Sequence, residues 1–138
     1  MSIDIAIIIV SYNSERQIEE CLRSVFDQRR EVRQEVIVVD NDSTDRTVAL
    51  VQEKFPAVRL VLPGKNLGFA AGVNLGARQS EADYVLLLNP DTVVLDHAVD
   101  VVVEFARANP AYGLYGGRTL KPDGTLEPSS CWGLPSLW

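Results

Sequence analysis

The run Ile5-Ala6-Ile7-Ile8-Ile9-Val10 constrains the fold more than any other feature of the chain. A strand with one face in water alternates apolar and polar residues. An unbroken, largely β-branched run instead marks a strand buried on both faces, as in a parallel sheet covered by helices. The pattern recurs at Val36-Ile37-Val38-Val39 and at Tyr84-Val85-Leu86-Leu87-Leu88, with a shorter strand expected over 58–62. Helical spacing fills the gaps. Ile18, Leu22, Val25 and Phe26 share a face, with Cys21 in register and read as core. A helix over 44–55 puts Val48, Val51 and Phe55 together, with Asp42 or Ser43 as its N-cap and Pro56 as its stop. A third helix spans 69–79. Asp96 caps a fourth, whose inner face is Val99, Val102, Val103 and Ala106 and which Asn109-Pro110 ends. Leu114-Tyr115 is expected to open a fifth strand. This alternation predicts an α/β fold, a Rossmann-like three-layer sandwich with a mainly parallel central sheet.

At 138 residues the chain is long enough for one domain with one core. Its net charge of −6 argues against nucleic acid as a partner, because such binders carry a basic stripe. The one basic run, Arg29, Arg30 and Arg33, is interleaved with Glu31 and Glu35 and reads as a solvated loop. The first apolar run is too short for a signal peptide or a membrane span and has no basic flank. The expected location is therefore cytoplasmic, free or peripheral at the inner face of the membrane, with Cys21 and Cys131 as free thiols. The segment 121–138 is rich in Pro, Gly and Ser and ends on Leu134, Leu137 and Trp138. It reads as an active-site loop whose partner segments come later in a longer protein.

In open parallel sheets, ligands bind outside the carboxyl ends of the strands. Three of those ends carry Asp or Asn: Ser11-Tyr12-Asn13, Asp40-Asn41-Asp42 and Asn89-Pro90-Asp91. Any loop is polar, but this recurrence favours a site. Asp91, with an oxygen donor from Asn89 beside it, suits a hard divalent cation such as Mg²⁺, which takes one or two carboxylates and fills its shell with phosphates and water. Taken alone, Asn-Pro-Asp-Thr is equally a tight turn. Tyr12 could stack on a base or cover the sheet edge. Asp40 or Asn41 could bind a base or ribose, although a helix-capping loop at 42–45 needs no ligand.

Gly68, Gly72 and Gly76 are spaced by four and permit close approach of a helix to a strand or a ligand. Lys65 could meet a phosphate or simply be solvated. His97, at a helix start where the macrodipole disfavours a cation, is read as surface structure. No glycine fingerprint follows the first strand, and no P-loop, zinc cluster or nucleophile elbow is present. A signalling receiver domain is excluded as well, since the first strand ends in Ser-Tyr-Asn and the third in Pro63-Gly64, with no phosphoacceptor aspartate.

Four segments together resemble the ordered motifs of family 2 glycosyltransferases: Ile-Ile-Val-Ser-Tyr-Asn at 8–13, Val-Val-Asp-Asn-Asp-Ser-Thr-Asp at 38–45, Asn-Leu-Gly-Phe-Ala-Ala-Gly-Val-Asn-Leu-Gly at 66–76, and Leu-Leu-Asn-Pro-Asp-Thr at 87–92. The last is similar to the rhamnosyltransferase-like branch. The resemblance implies a GT-A fold and inverting, metal-dependent transfer from a nucleotide diphosphate sugar, dTDP- or UDP-linked, to a glycan or lipid-linked acceptor in cell-envelope or polysaccharide synthesis. It implies donor-binding positions at Ser11, Tyr12, Asp40, Asn41, Gly68, Asn74, Asn89 and Asp91, with Asp91 holding Mg²⁺ or Mn²⁺. Asn89 stands where the family's metal motif begins with aspartate.

The family's general base lies in an acidic motif further along, and no segment before Trp138 matches it. Residues 1–138 are thus expected to be one domain, the N-terminal donor-binding portion of a catalytic domain whose acceptor side lies elsewhere. The alternative reading is a non-catalytic nucleotide- or sugar-binding module of the same fold.

Overall fold

The computed structural model describes residues 2–28 and 31–128. Arg29, Arg30, Cys131 and the end of the 121–138 segment lie outside the described residues. The elements run β1 (Ile5–Ser11), α1 (Ile18–Phe26), β2 (Gln34–Asp40), α2 (Thr47–Lys54), β3 (Arg59–Val61), α3 (Phe69–Ala77), β4 (Tyr84–Leu88) and α4 (Ala98–Ala108). The four strands form one parallel sheet in the order β3-β2-β1-β4. β1 is buried along its whole length, as its unbroken apolar run requires.

Two apolar clusters cover the two faces. Ile5, Ile7, Ile9, Val36 and Val38 pack with Ile18, Cys21, Leu22 and Val25 of α1, Val51 of α2, and Val99 and Val103 of α4. Ala6, Ile8, Ile37 and Val39 form the opposite face, against Leu75 of α3. This is the three-layer α/β sandwich expected from the periodicity.

α3 approaches the sheet through two glycines. A Cβ on Gly72 would stand 3.0 Å from Val10 Cγ1, and one on Gly76 would stand 2.7 Å from Ile8 Cγ2. Gly68 differs from both: it precedes the helix with φ +77° and touches no strand. The glycine spacing therefore serves packing at two positions and a turn at the third.

Several expectations change. α2 begins at Thr47, three residues later than the periodicity suggests, because residues 40–46 use their polar groups in side-chain hydrogen bonds. Asp42 is left-handed (φ 68°) and so cannot serve as an N-cap; Asp45 Oδ1 accepts the Thr47 N–H at 2.9 Å instead. Asp96 does not cap α4. Asp96 and His97 are both left-handed, and the His97 N–H donates to Gln28 Oε1. No strand opens at Leu114-Tyr115; Leu114 is 93% exposed, and among the described residues that stretch holds only an isolated antiparallel bridge, Leu120 to Leu126. Arg33 is more than a solvated loop residue, since its N–H and guanidinium both meet the buried Asp4 carboxylate, which Arg107 also pairs.

The edge strand β4 is apolar but only half covered. α3 lies over β1 and β2, leaving Val85 46% and Leu87 50% exposed. Beside them a cavity of about 760 Å³ opens between β4, α4 and residues 110–117.

Candidate nucleotide-binding cleft

The β1–β2 register sets Ser11 opposite Asp40, so two of the polar strand ends are neighbours. Asp40 is 2% exposed and its carboxylate is fully engaged: Oδ2 accepts from the Ser11 hydroxyl (2.9 Å) and the Ser43 hydroxyl (2.6 Å), and Oδ1 from the Ser43 N–H (2.8 Å). Ser11 is buried as well. Asn41 is equally committed, accepting the Leu67 N–H and donating to the Gly68 carbonyl, each at 3.2 Å.

The two loops above these ends are laced together by side chains reaching across to backbone. The Asn13 N–H donates to Ser43 Oγ, and Asn13 Oδ1 accepts the Thr44 N–H, both at 2.8 Å. The Ser14 N–H donates to Thr47 Oγ1 at 2.8 Å. The Glu15 N–H donates to Asp45 Oδ2, and Glu15 Oε2 accepts the Arg46 N–H. Asn13 takes up a left-handed φ of 49° within this lattice, a conformation Asn tolerates better than most residues. The Val-Asp-Asn-Asp-Ser-Thr-Asp motif therefore builds a rigid support, and the residue it presents is Tyr12, 54% exposed.

A cleft of about 420 Å³ collects Val10, Tyr12, Asn13, Ser14, Gln17, Phe69, Asn89, Pro90 and Asp91. Of the sequence-derived candidates it brings together Tyr12, Asn89 and Asp91. Ser11, Asp40 and Asn41 lie behind its wall, and Gly68 begins the helix that carries Phe69 into it. Asn74 lies on the exposed surface of α3 and is not among the lining residues. Lys65 is likewise exposed and not among them.

Phe69 escaped the sequence reading, as did Gln17 as a lining group, while Asn13, one of the strand-end residues read there, does line the cleft. Phe69 is 54% exposed, an unusual position for a large aromatic at a helix start, and its place directly after Gly68 was the available signal. Among the described residues Asp91 is the one charged residue of the lining, and none of them sets a cation beside it there. Beneath the turn, the Cys21 thiol is pushed up from 9.0 to about 11, first by burial and further by the Asp91 charge.

The donor set suits a hard cation only in part. Among the described residues no three Asp, Glu, His or Cys side chains cluster as a complete metal cage. One carboxylate beside an amide oxygen matches the mode in which substrate phosphates complete the shell.

The model of the family described as "Glycosyl transferase family 2" matches residues 6–134. The chain belongs to glycosyl transferase family 2. As a member of that family it is 33% identical over 106 residues to an N-acetylglucosaminyl-diphospho-decaprenol L-rhamnosyltransferase of Mycobacterium tuberculosis, a match covering 69% of this chain and 34% of the relative. It is 29% identical over 115 residues to a poly-β-1,6-N-acetyl-D-glucosamine synthase of Staphylococcus epidermidis, covering 82% of this chain and 28% of that one.

Among solved structures, a mannosyltransferase of Pyrobaculum calidifontis in complex with GDP-Man and Mn²⁺ superposes with TM-score 0.73 at 26% identity, over 89% of this chain and 37% of that one. S. aureus TarS 1-349 in complex with UDP-GlcNAc gives 0.71 at 26% identity, over 78% and 32%. The architecture of this family 2 chain is the GT-A fold. The chain spans about a third of the length of the relatives it matches. No helix among its described residues is long and apolar enough to cross a membrane.

Proposed function

We propose that this chain is the donor-binding part of a glycosyltransferase that moves a sugar, with inversion, from a UDP- or dTDP-sugar to a hydroxyl of a glycan or lipid-linked acceptor. The observation that carries this reading is the cleft's makeup among the described residues: two exposed aromatic rings, Tyr12 and Phe69, beside one carboxylate, Asp91, and no basic side chain. Aromatic faces suit a base. A diphosphate beside a lone carboxylate and no cation is repelled unless a divalent ion joins them. Asp91, with Asn89, would hold Mg²⁺ or Mn²⁺, which supplies charge neutralisation to the departing diphosphate.

Tyr12 and Phe69 bind the base, while the Asp40 and Asn41 networks hold the loops that present them. The named ligands of the structural relatives, UDP-GlcNAc and GDP-Man with Mn²⁺, are consistent with this assignment.

The 138 residues are read as the donor side of a longer catalytic domain. The relatives are about three times as long, and β4 offers a half-exposed apolar edge on which further structure could pack. The carboxylate that activates the acceptor hydroxyl is assigned to that further chain. The glycan products in the relatives' names favour a role in cell-envelope polysaccharide synthesis.

Calorimetric titration of UDP and dTDP, with Mn²⁺ or with chelator, into wild type and Asp91→Asn tests the reading. Metal should tighten nucleotide binding in wild type and not in the variant. Binding unaffected by chelator in wild type removes the metal assignment. Absence of nucleotide binding under any condition removes the site.

A further inference from the structure

The metal-site turn belongs to no regular element. Residues 89–97 run irregularly from β4 to α4, and Pro90 contributes no N–H. The turn closes on itself at one point, where the Asn89 carbonyl accepts from the Thr92 N–H (3.2 Å) and hydroxyl (2.6 Å). Among the described residues, the other side-chain hydrogen bonds to its backbone come from one stripe of polar residues at the end of α1 and just past it, spaced i, i+3, i+7. The Cys21 thiol donates to the Asn89 carbonyl at 3.6 Å. Ser24 Oγ accepts the Val94 N–H at 2.9 Å while donating to the Cys21 carbonyl at 2.7 Å. Gln28 donates through Nε2 to the Val94 carbonyl at 3.2 Å and accepts the His97 N–H at Oε1 at 2.9 Å.

Both polar groups of the Val94 backbone are thus fixed, the N–H by Ser24 of α1 and the carbonyl by Gln28 just past it, and the Val94 side chain is buried in the core beside them. Asp91 itself is exposed, and this anchored backbone carries it.

We propose that Cys21, Ser24 and Gln28 form a clamp that sets the position of Asp91, making them positioning residues for the joint binding of a divalent cation and a nucleoside diphosphate in the cleft. This rests on the reading of Asp91 as metal ligand. A ligand on an irregular turn binds well only if the turn is held still. Groups that orient a metal ligand without touching the metal contribute about 10- to 100-fold in affinity. None of the three lines the cleft, so binding of the base through Tyr12 and Phe69 does not depend on them.

The test measures the factor by which Mn²⁺ tightens UDP binding in wild type, Ser24→Ala, Gln28→Ala, Ser24→Thr and Asp91→Asn. Urea unfolding is followed in parallel. In Ser24→Ala and Gln28→Ala the factor should fall about tenfold, while UDP affinity in chelator stays at the wild-type value. Ser24→Thr keeps the hydroxyl and should restore most of the factor. Gln28 lies beyond the helix and is only half-buried, so Gln28→Ala remains informative if Ser24→Ala fails to fold. Lower stability with an undiminished metal factor in both variants would make the stripe purely structural and overturn the proposal. A wild type with no metal factor, indistinguishable from Asp91→Asn, would instead overturn the metal reading, and the clamp's role with it.

Discussion

Asn41 and Gly68 join the end of β2 to the start of α3: the Asn41 side-chain amide donates to the Gly68 carbonyl at 3.2 Å, and its oxygen takes the Leu67 N–H at the same distance. Phe69 follows at once, so the link also fixes one wall of the cleft. Asn41→Ala would remove the partner of the half-buried Leu67 N–H, while the Gly68 carbonyl keeps the Gly72 N–H at 3.1 Å, a loss of about 1 kcal/mol. We expect a lower urea midpoint together with weaker UDP binding, since the Phe69 wall loosens. An unchanged midpoint would show that the link is incidental.

Tyr12→Ala and Phe69→Ala should behave oppositely. Both rings are half exposed, and their removal opens no core cavity. A base stacked on an aromatic gains about 1–3 kcal/mol, so each variant should lose roughly tenfold in UDP affinity with an unaltered unfolding curve. Full affinity in Phe69→Ala would confine the base to the Tyr12 side.

The sheet was legible because burial on both faces leaves an unmistakable mark, as in 5–10 and 36–39. The ends of elements were less so. Asp42 and Asp96 look like caps in one dimension, yet both adopt left-handed backbone, and the Thr47 N–H is taken by Asp45, one residue before the Arg46 cap position, through a bond that depends on how the loop turns. The site showed the same division. Asp40 and Asn41 sit at strand ends as expected, but their polar atoms are spent on Ser11, Ser43, Leu67 and Gly68, partners 3 to 29 residues away. Periodicity carries no information on such pairings. Phe69 was missed because reading 69–79 as a helix says nothing of which neighbours its first residue meets; it is exposed and lines the cleft with Tyr12 and Asp91, groups 57 and 22 residues away in sequence.

Those glycines yield a third prediction. Gly76→Ala would ordinarily gain up to about 1 kcal/mol in helix propensity. Here the new methyl would stand 2.7 Å from Ile8 Cγ2 and 3.0 Å from Val39 Cγ2, branch methyls of fully buried side chains that have little freedom to move. Overpacking of this kind costs about 1–3 kcal/mol. We expect Gly76→Ala to lower the Tm by several degrees, roughly what such a change means for a domain of this size. A raised Tm would mean that α3 shifts outward without penalty.

Cys21 provides a pH signature of the packing beneath the Asp91 turn. Its thiol rises from 9.0 to about 11 because burial disfavours the thiolate and the nearby Asp91 carboxylate repels it. The native state therefore holds this proton more tightly than the unfolded chain does. The contribution is complete below about pH 9 and is lost as pH climbs through about 11, on the order of 2 kcal/mol across that window. Lysines and tyrosines titrate in the same range, so the informative quantity is the difference between wild type and Cys21→Ser, whose hydroxyl does not ionise there. Urea midpoints measured from pH 7 to pH 11 should show wild type losing ground to Cys21→Ser only above about pH 9. In native protein at pH 8 the same thiol should resist alkylation, and it should react once urea unfolds the chain. Two parallel stability curves, or rapid alkylation of Cys21 in the native state, would place the thiol in contact with water and contradict its burial between α1 and the Asn89 carbonyl.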